Sequence, residues 1–427
     1  MTSLQVVLST TGASFLACTV TLAVTQTPLG SPLFFALASA AALAYGVLLA
    51  RVWRAPQAPR RLLLLAFALA VAFRIPVALP RVGADNDMMR YVWDGRVQRL
   101  GLNPYTVLPA DPALAWTHNA ETGSMPSRRA RTPYPPAAQL FFRLVVSVKD
   151  SARAMKLALV GCDLLTMIVL WRWLAVTGRN EWLTLAYAWN PLVVLEVAHS
   201  GHIDALGALW IAAAAYWLAR RRTALASLAF ALAVATKLLP IVLVPLFWRR
   251  VRIRDAAAAI GLGALLYLPF MFGRDVPLGA VPNVVAHIRF NGPAFKAIAW
   301  VGSPQLAAAA AVGLGLLVAG WARWKLDRND PAAWAWPMAA ALACAPVIYP
   351  WYLLYLTPFL FTAATLPLLA WTFSVLPAYL VWYVPAYRRP WVVPGYAVAI
   401  EYAAVVATSA VIWVRRRTAR PPTALCG

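Results

Sequence analysis

The chain alternates long apolar runs with short polar breaks, many of them basic. Val7–Val24, Pro32–Trp53 and Arg61–Leu79 are the first three runs, and a polar stretch, Pro80–Pro136, follows them. Beyond it come Met155–Val176, Trp182–Val197, Ala205–Leu218, Ala256–Phe272, Gln305–Trp324, Pro331–Val347, Tyr352–Leu369, Trp371–Pro385 and Trp391–Trp413. With their flanks, most reach the roughly 20 residues that a helix needs to cross a hydrocarbon core of about 30 Å. A buried core helix explains one such run, not a series. The stretch Ala224–Trp248 differs: basic clusters flank both ends and Lys237-Leu-Leu-Pro240 interrupts its middle. A single crossing would strand one arginine cluster on the wrong side. The pattern therefore predicts a broken or re-entrant helix pair with Lys237 near its apex, a shape tolerated only inside protein or around water. The expected fold class is an all-α polytopic membrane protein with about 11–13 transmembrane helices.

Composition agrees. Of 427 residues, 62% are hydrophobic and only 12% charged, against roughly 25% charged in soluble domains; mean hydropathy is +0.67. The net charge of +23 would point to nucleic acid in a soluble protein. Here it sits in loop clusters, Arg51/Arg54/Arg60/Arg61, Arg220–Arg222, Arg249/Arg250/Arg252/Arg254 and Arg415–Arg417. That is the signature of cytoplasmic loops, so no nucleic acid is expected. The same rule puts both termini in the cytoplasm, in a multi-pass protein of the cytoplasmic (inner) membrane. The first run lacks a basic region before it and a cleavage site after it, and reads as a retained span. Cys18, Cys162, Cys344 and Cys426 show no paired spacing, hence neither a disulfide framework nor a zinc site.

The polar stretch carries five of the fifteen acidic residues: Asp85, Asp87, Asp94, Asp111 and Glu121. So long a connection is usually functional or disordered, and this one contains a helical pattern. A helix from Asp87 puts Asp87, Arg90, Tyr91 and Asp94 on one face, with Met89, Val92 and Trp93 toward an apolar side. Gly101 would stop it and Asn103-Pro104 turn the chain. The pattern fits an amphipathic helix lying at the membrane surface; the plain alternative is a set of solvated Asp–Arg pairs. On the expected topology the outer face also receives His199-Ser-Gly-His202, Gly273–Ser303 and Tyr349-Pro-Trp-Tyr352, so the chemistry-bearing residues converge on one side.

The string Asp87-Met-Met-Arg-Tyr-Val-Trp-Asp-Gly-Arg96, followed by Gly101-Leu-Asn-Pro-Tyr105, resembles the first outer loop of bacterial GT-C glycosyltransferases of the family 87 and mannosyltransferase-like kind. The likeness continues in Tyr134-Pro-Pro136, Trp189-Asn-Pro191 with Glu196, Gly201-His-Ile-Asp204, Thr236-Lys-Leu-Leu-Pro240, Arg289-Phe-Asn291 and Pro350-Trp-Tyr352. It runs from about residue 80 to 360 in the family's order. One departure is that the family often has two adjacent acids followed by an aromatic or aliphatic pair; here Asn86 replaces one acid and Met88-Met89 follow.

The resemblance implies a single GT-C domain over 1–427, with 80–136 as its first outer catalytic loop. It implies an inverting enzyme that moves a hexose such as mannose from a polyprenyl-phosphate donor to an envelope glycan or lipid acceptor. The general base of such enzymes maps onto Asp87, with Asp85 as runner-up. Basic groups that steady the leaving phosphate would be Lys237, Arg289 and, less directly, Arg90 or Arg96, while Arg90 and Asp94 organise the loop. His202 and Asp204 would hydrogen-bond sugar or phosphate, and Tyr352 would wall the donor groove. Each has a plainer reading: Lys237 as a snorkelling side chain, the His199–Asp204 segment as a capped helix junction, the aromatics as an interfacial belt. Glu196, His199, His202 and Asp204 are also residue types that hold divalent metals, although no compact ligand pattern joins them. The rival class is a transporter or lipid-linked sugar flippase, since transporters too break helices at mid-membrane.

Overall fold

The structure, a computed structural model, describes residues 3–54, 59–79, 86–123, 125, 127–272, 276–383 and 392–418. Among the described residues there is no strand, and an isolated parallel bridge joins Phe290 to Val347. Helices α1 (Ser3–Val24), α2 (Pro32–Arg54) and α3 (Arg60–Ala78) form a trio in which α1 packs on both others. Helices α4 (Asn86–Arg99) and α5 (Pro136–Val148) pack together beside α6 (Ala152–Val176). Helix α6 lies along α7 (Asp204–Ala219), α7 along α8 (Thr223–Thr236), and α8 along α9 (Ile253–Tyr267). Short α10 (Val281–His287) and α11 (Pro293–Val301) lead to α12 (Pro304–Lys325), which pairs with α13 (Pro331–Ala343). A run of helical turns, α14 (Ala363–Tyr383), and α15 (Gly395–Thr418) complete the bundle.

Among the described residues eight helices are long and apolar enough to cross a membrane: α1, α2, α3, α6, α9, α12, α14 and α15. Helices α5, α7 and α8 are apolar but shorter. The protein is an all-α, multi-pass membrane protein. Burial sorts the spans. α14 and α6 bury 61% and 50% of their apolar windows within the protein, against 11% for α9 and for α15. The first two are central; the other two turn apolar side chains such as Ile260 and Val406 outward, as a lipid solvent allows. Proline opens α2, α5, α12 and α13, where its missing N–H costs nothing. Ser151, Ser303 and Asp330 accept the first free N–H groups of α6, α12 and α13.

Several stretches that read as continuous apolar runs are broken here. Trp182–Val197 becomes short turns, Glu181–Thr184, Leu185–Ala188 and Pro191–Val193, followed by a π-helical turn, Val194–His199. Pro191 cannot donate, and the Asn190 side chain accepts the N–H of Leu192. Carbonyls near the break are met by buried side chains: Tyr45 donates to Ala186 at 2.8 Å and Arg74 to Ala188 at 3.0 Å. Irregular backbone at membrane depth survives only with such partners. Ala224–Trp248 breaks where its charge pattern requires: α8 ends at Thr236, Lys237 is extended, and Leu239–Leu243 restarts as a 3-10 turn. Tyr352–Leu369 and Trp371–Pro385 are not two spans. Pro350–Tyr355 and Thr357–Phe359 are 3-10 turns, and α14 runs through residue 370, its start set by a Thr362–Thr365 capping box.

Helix α4 also departs from its pattern. It is buried on both faces rather than lying on a membrane surface. Gly95 lets the backbone of α5 close on it, since a Cβ there would stand 2.6 Å from the Phe142 carbonyl oxygen. Its polar face meets protein: Arg90 donates to Asp94 at 2.7 Å, and Gln139 donates to the other Asp94 oxygen at 2.9 Å. Its end is as the sequence suggests. Gly101 has φ +78°, and the N–H groups of Gly101 and Leu102 return to Gln98 and Val97.

Candidate active site

Five separated segments bring their polar residues to one cavity of about 430 Å³. The start of α4 gives Asp87 and Tyr91, the loop before α5 gives Tyr134, the start of α7 gives Asp204, and the break after α8 gives Lys237. The turn at 350–355 gives Trp351, Tyr352 and Tyr355. Leu238, Leu239, Val281, Val284, Ile288, Leu342 and Val347 supply apolar wall. The lining thus joins a polar cluster to extensive apolar wall.

The geometry of the polar cluster follows from local backbone. Asp204 opens α7, where the helix dipole favours a carboxylate. Lys237 leaves α8 in an extended conformation (φ −158°, ψ 143°), which turns its side chain back toward α7. Its Nζ lies 2.5 Å from Asp204 Oδ1 and 3.5 Å from the centroid of the Tyr352 ring, a cation–π contact. The second Asp204 oxygen is buried without a partner. Asp87 is half-buried and accepts a hydrogen bond from the Tyr134 hydroxyl. Burial pushes the Asp87 carboxyl above the ordinary carboxylate range; the nearby Lys237 charge and the Tyr134 bond oppose that, and Asp204 adds to it. Tyr91 reaches across to the α7 junction, its hydroxyl accepting from the Ile203 N–H at 3.4 Å. Gly207, one turn after Asp204, admits Tyr355: a Cβ there would stand 2.0 Å from the tyrosine hydroxyl.

Of the residues singled out in the sequence, Asp87, Asp204, Lys237 and Tyr352 line this cavity. His202 stands one layer back. Its ring stacks on Trp351 with centroids 4.0 Å apart, and its Nδ1 lies 3.1 Å from Glu196, which also accepts from Tyr379. Arg90, Asp94 and Arg96 knit the loop: Arg90 also donates to the Ala130 carbonyl at 2.8 Å, and Arg96 holds both Asp150 oxygens at 2.8 Å. Arg289 is not brought to the polar cluster. Its guanidinium donates to the carbonyls of Val285, Ala286 and Ile288 and lies over Phe295. Asp85 lies outside the described residues. Among the described residues no three His, Cys, Asp or Glu side chains group so as to hold a metal ion.

Two features lie beyond the residues that the sequence singles out: Tyr134, which it offers only within Tyr134-Pro-Pro136, and the Arg74–Asp163 pair. That pair joins α3 to α6 deep in the bundle, with Nε 2.5 Å from the carboxylate and side chains 2% and 0% exposed. Charges inside two apolar runs are its signal in the sequence, although the α6 run also carries Lys156 and Arg172.

Fold and site together define a polytopic, all-helical membrane protein with a carboxylate–lysine cavity formed where its helices break. The family model described as alpha-(1->6)-mannopyranosyltransferase, N-terminal domain (MptA_B family) matches residues 2–251, more than half of the chain. The chain belongs to that family and is a glycosyltransferase of mannosyltransferase type. No curated protein and no solved structure matches it.

Proposed function

We propose that the chain transfers mannose from a polyprenyl-phosphate donor to a hydroxyl of an envelope glycan or lipid, with inversion, at the outer face of the cytoplasmic membrane. One observation carries this reading: Asp87, Asp204 and Lys237 line one cavity together with a largely apolar and aromatic wall. A polyprenyl-phosphate sugar has the same division, a charged sugar head on a greasy chain. In the proposed step the acceptor hydroxyl gives its proton to Asp87 as its oxygen bonds to the anomeric carbon. The bond from that carbon to the phosphate oxygen breaks, and its electron pair leaves with the polyprenyl phosphate. Lys237 steadies the charge that develops there. A single displacement inverts the anomeric centre.

Residues 1–427 are read as one domain, because the cavity takes Asp87, Asp204 and Lys237 from inside the matched region and Val281, Val347 and Tyr352 from beyond it. Basic clusters at the bundle end remote from Asp87 support cytoplasmic termini and an outer-facing site. The test uses the full chain in liposomes with radiolabelled polyprenyl-phosphate mannose. Wild type should consume the donor; Asp87→Asn should lose about 10²–10⁴-fold in turnover with unchanged insertion and thermal midpoint. Near-normal turnover by the variant removes Asp87 from the mechanism, and no consumption by wild type removes the donor class.

A further inference from the structure

A second polar cavity, of about 520 Å³, lies far from the first. Lys156, early in α6, donates to the Val77 carbonyl at the end of α3, so the two helices run antiparallel. The opposite end of the pair, about 28 Å away along α3, therefore gathers Arg60 from the start of α3 with Arg172 and Arg179 from the end of α6 and its turn. These three arginines line the cavity together with Trp171, Trp182 and Glu181, over a floor of Leu63 and Ala175.

Three details separate this cavity from an ordinary basic loop. The Trp171 indole N–H is held by Glu181. With the ring so fixed, Arg60 and Arg172 both approach it, at 5.7 and 5.4 Å from its centroid. Two like charges are thus set beside one ring, and among the described residues neither has an acidic partner. Finally, among the described residues no side chain caps the N-terminus of α3, where Pro59 stands at the cap position, so the positive end of that helix dipole adds to Arg60 in favouring an anion. Leu64, Leu65, Ile168 and Val176 on the same helices are exposed, so α3 and α6 carry an apolar outer surface suited to lipid.

We infer that this cavity binds the phosphodiester headgroup of an anionic phospholipid, its acyl chains lying along the exposed apolar faces of α3 and α6. Guanidinium forks match phosphate oxygens in pairs, indoles sit at headgroup depth, and basic pockets between transmembrane helices take such lipids. A volume within the roughly 300–1,000 Å³ of small-molecule pockets is ample for a glycerophosphate head. This inference does not depend on the donor or on Asp87.

The experiment is native mass spectrometry of the full chain in neutral detergent with phosphatidylglycerol, phosphatidylcholine or inorganic phosphate. Wild type should retain phosphatidylglycerol over phosphatidylcholine, and Arg60→Gln/Arg172→Gln should weaken it roughly 30-fold. Arg415→Gln/Arg417→Gln, in another basic cluster, should retain it. Equal retention by the Arg60/Arg172 variant overturns the site, and so does binding of inorganic phosphate as tightly as of the lipid. A measurement without variants guards against misfolding. Hydrogen exchange of wild type should slow at residues 60–63 and 171–182 in phosphatidylglycerol but not phosphatidylcholine nanodiscs; unchanged exchange overturns it too.

Discussion

Two buried cation–carboxylate pairs in this bundle have the same 2.5 Å separation and opposite consequences. In Arg74–Asp163 the bonds close on one another. Nε and Nη2 take the two Asp163 oxygens, and Nη1 takes the carbonyls of Ala70 and Ala188. In Lys237–Asp204 one carboxylate oxygen has no partner, and the lysine, its side chain 22% exposed, rests on an aromatic face beside a cavity. Residue type begins the difference. A planar guanidinium can meet a carboxylate and two carbonyls at once, whereas an ammonium on a flexible stem keeps donors for something else. The saturated pair ties three segments together; the unsaturated pair keeps capacity for a guest.

Substitution should separate the two pairs, the largest effect falling on the first. Arg74→Met leaves Asp163 buried alone and should cost about 3–5 kcal/mol, seen as lost folded yield and an earlier unfolding midpoint in detergent. Arg74→Met/Asp163→Leu should recover most of it, because removing both charges leaves no orphan. Lys237→Met should instead unfold little, since Asp204 beside a cavity can take up a proton. Its kcat/KM for a lipid-linked sugar should fall about 10²–10³-fold. The contrast fails if the Arg74 variant folds normally and only turns over slowly, or if the Lys237 variant does not fold.

Those two pairs also show what was legible. Lys237 stood out because a lone charge inside an apolar run, beside a proline, has few harmless explanations, and Asp204 and Asp87 stood out within motifs. Arg74 and Asp163 are the same kind of signal, but no motif surrounds them, and Asp163 shares its run with Lys156 and Arg172. Their pairing depends on how α3 and α6 meet, which no local pattern carries. Arg289 shows the reverse failure. Its charge is plain in the sequence, but whether a guanidinium faces a cavity or curls onto its own helix end is a matter of rotamer and packing. The burial of α4 was hidden for a similar reason: a polar face can be covered by Gln139, Thr132 and Asp150 as readily as by water. Tyr134 and Trp351 could not be told from belt aromatics by type alone.

A smaller effect should come from the packing behind the cavity. Gly207 is the close-approach point between α7 and the turn that carries Tyr352 and Tyr355. Gly207→Ala forces the Tyr355 ring to move, at about 1–3 kcal/mol for an overpacked core. Because the displaced turn also seats Tyr352 against Lys237, KM for the donor should rise more than the unfolding midpoint falls. The ring carbons Cζ and Cε1 would also stand within 2.4 Å of that Cβ, so Gly207→Ala/Tyr355→Leu, which removes the whole ring, should bring donor KM back toward wild type. Failure to do so would place the effect in α7 itself.

The smallest predicted change is in pH dependence, and it probes the cavity most directly. Asp87 must be ionised to accept a proton, so kcat/KM should rise with pH and level off above its pKa. Burial raises that pKa, the Lys237 charge lowers it, and the Asp204 charge raises it. Taking away Lys237 (Lys237→Met) should therefore move the acid limb to higher pH, on whatever turnover remains. Neutralising the other carboxylate (Asp204→Asn) removes a repelling charge and frees the lysine, so its limb should move to lower pH. Arg74→Met/Asp163→Leu, remote from Asp87, should leave the limb where it was. Opposite displacements in the first two variants require a titrating carboxylate close to both charges. A shift of the same sign in both would show that the proton acceptor is a different group.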